Sequence, residues 1–185
     1  KWTIWHENGQ KKEELNYILD LINGMGTQWY KNGQMKEEST YKSGEKHGKS
    51  NIWHENGQIK TELHYKDGNL VTQTQFKYYD NSQIESVKNY KNNRLNGKWT
   101  TWYANGQKKE ESIYKSGEKD GKSNIWYENG QKKEELNYIR GLIVGMGTLW
   151  DQNGQMLSEK HYTDNMLDGK WTTWYANGQK KEESI

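Results

Sequence analysis

The chain has no cysteine, which removes disulfides and thiolate metal sites from consideration. That suits a reducing cytosol and equally many secreted bacterial proteins, so the compartment stays open. Phenylalanine occurs once, aliphatic residues are sparse, and only 30% of residues are apolar. Mean hydropathy this low would by itself place the chain near disorder. No apolar run approaches the ~18 residues that a transmembrane helix needs, and no signal peptide is recognisable. Neither charge is in large excess: 27 basic and 25 acidic residues give +2, mixed in short Lys-Lys-Glu-Glu runs. A nucleic-acid binder carries a segregated basic face, so no nucleic-acid partner is expected.

What the chain does have is aromatic: 10 Trp and 13 Tyr. Disordered chains are poor in such rings, and each can bury roughly 150–250 Å², so a few per repeat can replace an aliphatic core. The rings are also periodic. Aligned on Asn-Gly, the chain gives Asn8, Asn32, Asn56, Asn81, Asn105, Asn129, Asn153 and Asn177 at 24-residue spacing, with one interval of 25 before Asn81. Three residues before the Asn stand Trp5, Trp29, Trp53, Tyr78, Trp102, Trp126, Trp150 and Trp174. Nine residues after it stand Tyr17, Tyr41, Tyr65, Tyr90, Tyr114, Tyr138 and Tyr162. Such a period marks an array of stacked units. The units run 1–24, 25–48, 49–72, 73–97, 98–121, 122–145, 146–169 and 170–185.

The best-formed unit, Lys98 to Gly121, reads as two strands and two turns. Lys98–Ala104 is rich in Trp, Thr and Tyr, which suit a pleated strand. Asn105-Gly106 is a strong hairpin signal, Lys108–Tyr114 returns, and Ser116-Gly117 starts a looser turn. Glycine recurs too often for helix, and no 3.6-residue apolar period is sustained. A three-residue turn with Gly106 at the bulge position would set Trp102 opposite Lys108. Trp102 and Tyr114 would then share one face, gathering the regular aromatics into a single stripe. The expected fold is all-β: an elongated single-layer antiparallel sheet of about eight stacked hairpins, roughly 70–80 Å long.

The core Trp99 to Gln107 (W-x-x-W-Y-x-N-G-Q), the Glu-rich strand ending at Tyr114 and the turn Lys115 to Gly121 (K-x-G-x-x-D-G) carry a family resemblance. They resemble the MORN-type repeat, and more closely its bacterial variant, the family of YwqK-like antitoxins. The resemblance covers essentially the whole chain. It implies an elongated hairpin sheet that scaffolds, binds proteins and in some cases associates with membranes; the antitoxin label implies a partner toxin. Repeat four departs from the pattern, with an extra residue, Asn81-Ser82 for Asn-Gly, and Val87 in place of Glu, and a local bend is expected there. Lys98–Ile113 recurs identically as Lys170–Ile185. The chain starts at Lys1, stops mid-hairpin at Ile185 and has no atypical end repeat, so it is read as a fragment of a longer array.

Catalysis is not expected. The pairs Glu13-Glu14, Glu37-Glu38, Glu110-Glu111 and Glu134-Glu135 recur from unit to unit, and adjacent strand residues point to opposite faces. Acid–base chemistry needs one pair with separated pKa values. Of the histidines His6, His47, His54, His64 and His161, His6 and His54 hold equivalent positions roughly 19 Å apart, too far to share a metal. No cofactor motif appears. Binding potential rests on the aromatic ladder Trp5, Trp29, Trp53, Trp102, Trp126, Trp150, Trp174, Tyr41, Tyr65, Tyr114 and Tyr138, whose simplest role is structural. A second candidate is the pair of apolar turns with Leu21, Ile22, Leu142, Ile143 and Val144, which are contact patches or packing onto the next repeat. The expected function is a non-enzymatic scaffold with a protein partner, antitoxin-like in one version. The alternatives are glycan or cell-wall binding through the ladder, and end-to-end self-association into filaments.

Overall fold

The computed structural model describes residues 1–184 and is all-β, with no helix among them. Two compact units divide the chain: Lys1–Phe76 with Tyr90–Asn93, and Lys77–Asn89 with residues 94 onward. The first holds β1 (Trp2–Trp5), β2 (Lys11–Leu15), β3 (Tyr17–Ile18), β4 (Leu21–Ile22), β5 (Gly24–Trp29), β6 (Met35–Lys42), β7 (Glu45–Trp53) and β8 (Ile59–Lys66). Then come β9 (Asn69–Tyr78) and β10 (Ile84–Lys91), where the division falls, inside the irregular fourth repeat. The second holds β11 (Arg94–Trp102), β12 (Lys108–Lys115), β13 (Glu118–Trp126) and β14 (Lys132–Ile139). It continues with β15 (Leu142–Trp150), β16 (Met156–Thr163), β17 (Met166–Trp174) and β18 (Lys180–Ser184). Sixteen strands follow one another in antiparallel chain order, hairpin after hairpin, while β3 and β4 pair only with each other. The expected stop within a hairpin at Ile185 concerns a residue outside those described.

The Asn-Gly turn takes the three-residue form. Tyr103 N–H donates to Gln107 O at 2.8 Å and Gly106 N–H to Tyr103 O at 2.9 Å, enclosing Ala104, Asn105 and Gly106. Only Gly106 has positive φ, +85°, and Asn105 Oδ1 accepts the Gln107 N–H at 2.9 Å. Trp102 therefore faces Lys108, as expected. The next pair is Thr101 with Glu110, so Lys109 is an extra residue. That bulge overturns the single aromatic stripe: shifting the register by one moves every later side chain of β12 to the other face. Tyr114 joins Trp99, with ring centroids 5.5 Å apart, and Trp102 lies on the opposite face.

The second turn is tight rather than loose. Lys115 pairs with Glu118 across Ser116 and Gly117 alone, whose φ values are +53° and +100°. Two successive positive φ angles give the type I′ twist that suits a right-twisted hairpin. Beyond it β13 carries a wide irregularity: Ser112 pairs with Ser123 and Tyr114 with Lys119, so Ile113 alone spans three residues. Gly121, at φ +121°, sits among those three.

These registers define two faces. On the tyrosine face lie Trp99, Glu110, Ser112, Tyr114, Lys119 and Ser123; on the tryptophan face lie Lys98, Thr100, Trp102, Lys108, Glu111 and Asn124. The rings do not form the buried interior expected of them. Among the described residues the most buried side chains are Ser39, Ser50 and Ser112, whereas buried hydrophobics are confined to Leu15, Leu63 and Tyr114. Ser39 bonds Ser50 at 2.6 Å and Ser112 bonds Ser123 at 2.8 Å, which satisfies hydroxyls that burial would otherwise penalise. Large rings stand beside this seam and shield it.

Candidate binding face

Across the tryptophan face runs a row in which Thr or Asn alternates with Glu from strand to strand, as in Thr100–Glu111–Asn124–Glu135–Thr148–Glu159–Thr172–Glu183. Four carboxylates of such rows are each held by two lysines. Glu14 meets Lys1 and Lys11 at 2.8 Å, and Glu111 meets Lys98 at 3.4 Å and Lys108 at 3.0 Å. Glu135 is held by Lys122 and Lys132, and Glu183 by Lys170 and Lys180. The lysine hydrogen bonds hold Glu14, Glu135 and Glu183 below the usual carboxylate range. Burial pushes Glu111 up, but Lys108 and Lys98 together more than offset it, leaving the carboxyl lowered. Lys11, Lys108 and Lys132 also lie over the rings of Trp29, Trp126 and Trp150 at 5.5, 5.1 and 5.7 Å. Of the tryptophan ladder, Trp5 is 56% exposed, while Trp29, Trp53, Trp102, Trp126, Trp150 and Trp174 are half-buried.

The first glutamate of each adjacent pair faces the other way, as strand alternation requires. Glu110 bonds Ser112 and Lys119 at 2.9 and 3.1 Å, and the Lys119 ammonium lies 5.1 Å from the Tyr138 ring. Glu37 likewise bonds Ser39 and Lys46, and Lys46 lies 5.4 Å from the Tyr65 ring. Tyr41, Tyr65 and Tyr138 are half-buried on this face and Tyr114 is buried. Burial pushes the phenols of Tyr41, Tyr114 and Tyr138 up. It would also raise Glu37 and lower Lys46, yet the bonds from Lys46 and Ser39 bring the Glu37 carboxyl below its ordinary value, and the Glu37 carboxylate carries the Lys46 ammonium above its own. A depressed carboxyl adds stability above its unfolded pKa and loses it as pH falls through the folded value; a raised ammonium adds stability below its unfolded pKa and loses it as pH rises through the folded one. Urea midpoints followed from about pH 7 to about pH 2 are therefore expected to separate wild type from Glu37→Gln at neutral pH. The gap should close as Glu37 protonates. A gap that widens toward acid would contradict the ion pair.

The Asn-Gly-Gln turns do more than reverse the chain. Asn105 Nδ2 donates to Glu128 O at 3.0 Å, one repeat on, and Tyr103 Oη donates to Trp126 O at 2.9 Å. The same two bonds run Asn32 to Glu55 and Tyr30 to Trp53, Asn81 to Ala104 and Tyr79 to Trp102, and Asn129 to Gln152 and Tyr127 to Trp150. Gln107 lies against Gly130 of the next turn, as Gln83 lies against Gly106. His6 takes the tyrosine's place, its Nε2 donating to Trp29 O at 3.0 Å. Asp151 leaves the ladder: its carboxylate accepts Asn153 and Gln155 N–H of its own turn. Among the described residues no three His, Asp or Glu converge on a metal position.

The MORN repeat variant pattern matches residues 1–18, 22–43, 46–67, 68–92, 95–116, 119–140 and 167–185. The chain belongs to the MORN repeat variant family. MORN repeats are protein- and membrane-interaction repeats rather than catalytic domains. No curated protein sequence matches this chain. A crystal structure of a protein of unknown function from Bacteroides fragilis NCTC 9343 is 10% identical over 85% of this chain and 87% of that one, with a TM-score of 0.18. At that score the likeness informs neither fold nor function. Among the described residues no helix is long and apolar enough to cross a membrane.

Four of these MORN repeats break the lysine–glutamate pattern: Ile59 and Ile84 stand where Lys108 does in the third and fourth, and in two others methionine replaces both lysines. Met25 and Met35 occupy the register of Lys98 and Lys108 in the second repeat, and Met146 and Met156 occupy it in the seventh. Met25 is 51% exposed and Met146 42%. Beside them stand the apolar turns. Leu21 pairs with Ile18, and Leu142 with Ile139, all four exposed. Ile22, Ile143 and Val144 are half-buried; Ile143 N–H donates to Asn165 Oδ1 at 2.7 Å. The apolar turns thus split between packing and exposure. Composition did not single out the methionines, whose only sequence signal is that they stand where duplicated units carry lysine.

Proposed function

We propose that this MORN array is a non-enzymatic scaffold that binds a protein partner on its tryptophan face, at the second and seventh repeats. The observation that carries it is the recurrence of one apolar set on this face: Ile18, Leu21, Met25 and Met35, then Ile139, Leu142, Met146 and Met156, all exposed except the half-buried Met156. Met is soft and adaptable, and is over-represented on protein-docking surfaces. Exposed apolar groups gathered on a face otherwise covered by ion pairs mark an interaction site. The lysines lying over Trp29, Trp126 and Trp150 weigh against sugar stacking on a bare aromatic platform, the other use of this face. An antitoxin-like role, in which the partner is a toxin, is one version of this reading, supported by the antitoxin subfamily resemblance.

A photo-crosslinking residue placed at Met35 or Met156 in the native host is expected to capture one defined polypeptide. The same residue at Lys98, where the register keeps its lysine pair, should capture none. Equal capture at Lys98, or no adduct at either methionine, would remove the reading.

A further inference from the structure

Resting on that docking surface, we infer that its partner presents a single lysine or arginine side chain framed by apolar residues. The evidence is a missing counter-charge. Where the register keeps both lysines, the row carboxylate holds them: Glu14, Glu111, Glu135 and Glu183. Glu38 and Glu159 occupy the same row, pairing with Thr27 and Thr148. Their lysine positions are methionines, and among the described residues neither carboxylate has an ion pair. A half-buried carboxylate flanked by two methionines is poorly solvated, so a cation brought to it gains more than one brought to an exposed carboxylate.

The neighbouring rows sharpen the specificity. In the second unit Glu159 lies between the Glu135 and Glu183 clusters, two strands away on either side. Each of those clusters joins two lysines to one carboxylate and so carries one net positive charge. Along the row the face reads positive, negative, positive at intervals of roughly 10 Å. A segment lying across the strands complements this with a central cation and a carboxylate about three residues to either side, since an extended chain advances ~3.3 Å per residue. The residues between them, being apolar, lie beside Met146 and Met156, which flank Glu159 in the register. Like charges at any of the three positions would be rejected, so the pattern confers selectivity as well as affinity.

The test uses the full chain and the fluorescent heptapeptide Glu-Leu-Leu-Arg-Leu-Leu-Glu, with twins carrying Gln or Glu in place of Arg. The Arg peptide is expected to bind about tenfold or more tighter than either twin. Glu38→Gln with Glu159→Gln should abolish that preference. Restoring the lysines in M25K/M35K/M146K/M156K should abolish binding of the Arg peptide while thermal unfolding is retained, because other repeats carry lysine at the same register. Equal binding of the Arg and Gln peptides overturns the cation requirement and leaves protein docking at the methionines standing. Undiminished binding to the four-lysine variant overturns the site itself, as does failure of all three peptides. Retention on phosphatidylserine vesicles, lost in the four-lysine variant, would overturn the inference by assigning the patch to a lipid surface.

Discussion

Replacing Gly147 by serine is expected to destabilise the seventh repeat by about 1–3 kcal/mol, the usual cost of overfilling a packed position. The backbone there is ordinary; the difficulty is space. A Cβ at Gly147 would lie 2.6 Å from Leu136 Cδ2 and 2.9 Å from Tyr162 Cε2. The same seam position holds Ser123 against Ser112 in the fifth and sixth repeats. Two of the ways in which the chain fills this position are thus a pair of serines and a leucine over a glycine; elsewhere Leu63 faces Gln73 and Lys160 faces Trp171. Gly26 beneath Leu15 repeats the second solution, with contacts of 2.7 Å to Leu15 Cδ2 and 2.9 Å to Tyr41 Cε2. Leu136→Ser added to Gly147→Ser should recover most of the loss by recreating the Ser–Ser bond. A double-mutant cycle in urea would measure the coupling. Additive effects, with no recovery, would mean that the two positions do not share the space.

Gly121→Ala should cost about 2–3 kcal/mol, because backbone strain and crowding act together there. At φ +121° any side chain is strained, and its Cβ would come within 3.2 Å of Ile113 Cβ. That atom is fixed to the β12 backbone and cannot swing away. Gly117→Ala is the control. Its φ is +100°, but nothing lies within 4 Å of the added carbon, so it should lose only the backbone share of about 1–2 kcal/mol. Because unfolding of a repeat array need not be all-or-none, amide exchange should accompany denaturation and place the loss at β12 to β14. Equal losses for the two alanines would show that the wide irregularity opposite Ile113 relaxes freely.

Much of this fold is legible in the residues. The 24-residue spacing, the strand-forming types before each Asn-Gly and the three-residue turn all stand as expected, because each depends on neighbours within one hairpin. The faces do not. Trp102 opposite Lys108 is correct, yet the bulge at Lys109 is invisible in a Lys-Lys-Glu-Glu run, and it decides which rings meet. The carboxylate pairs diverge as alternation predicts. What each glutamate then holds, two exposed lysines or a half-buried Lys and Ser, depends on strands one repeat away. Reading Asn-Gly-Gln as turn chemistry accounts for the Asn oxygen and the Gly. It leaves the recurrent Gln without a purpose, which is the trace of the ladder that the turn itself does not need.

By itself the sequence determined the repeat, its Asn-Gly turn and the absence of an oily interior, since these follow from composition and from contacts a few residues apart. Only the tertiary structure decided that serines rather than rings fill the seam, that tryptophan and tyrosine part to opposite faces, and that Glu38 and Glu159 are left without a cation. Those outcomes depend on the pairing of strands from successive hairpins, and a shift of one residue in that pairing exchanges the two faces.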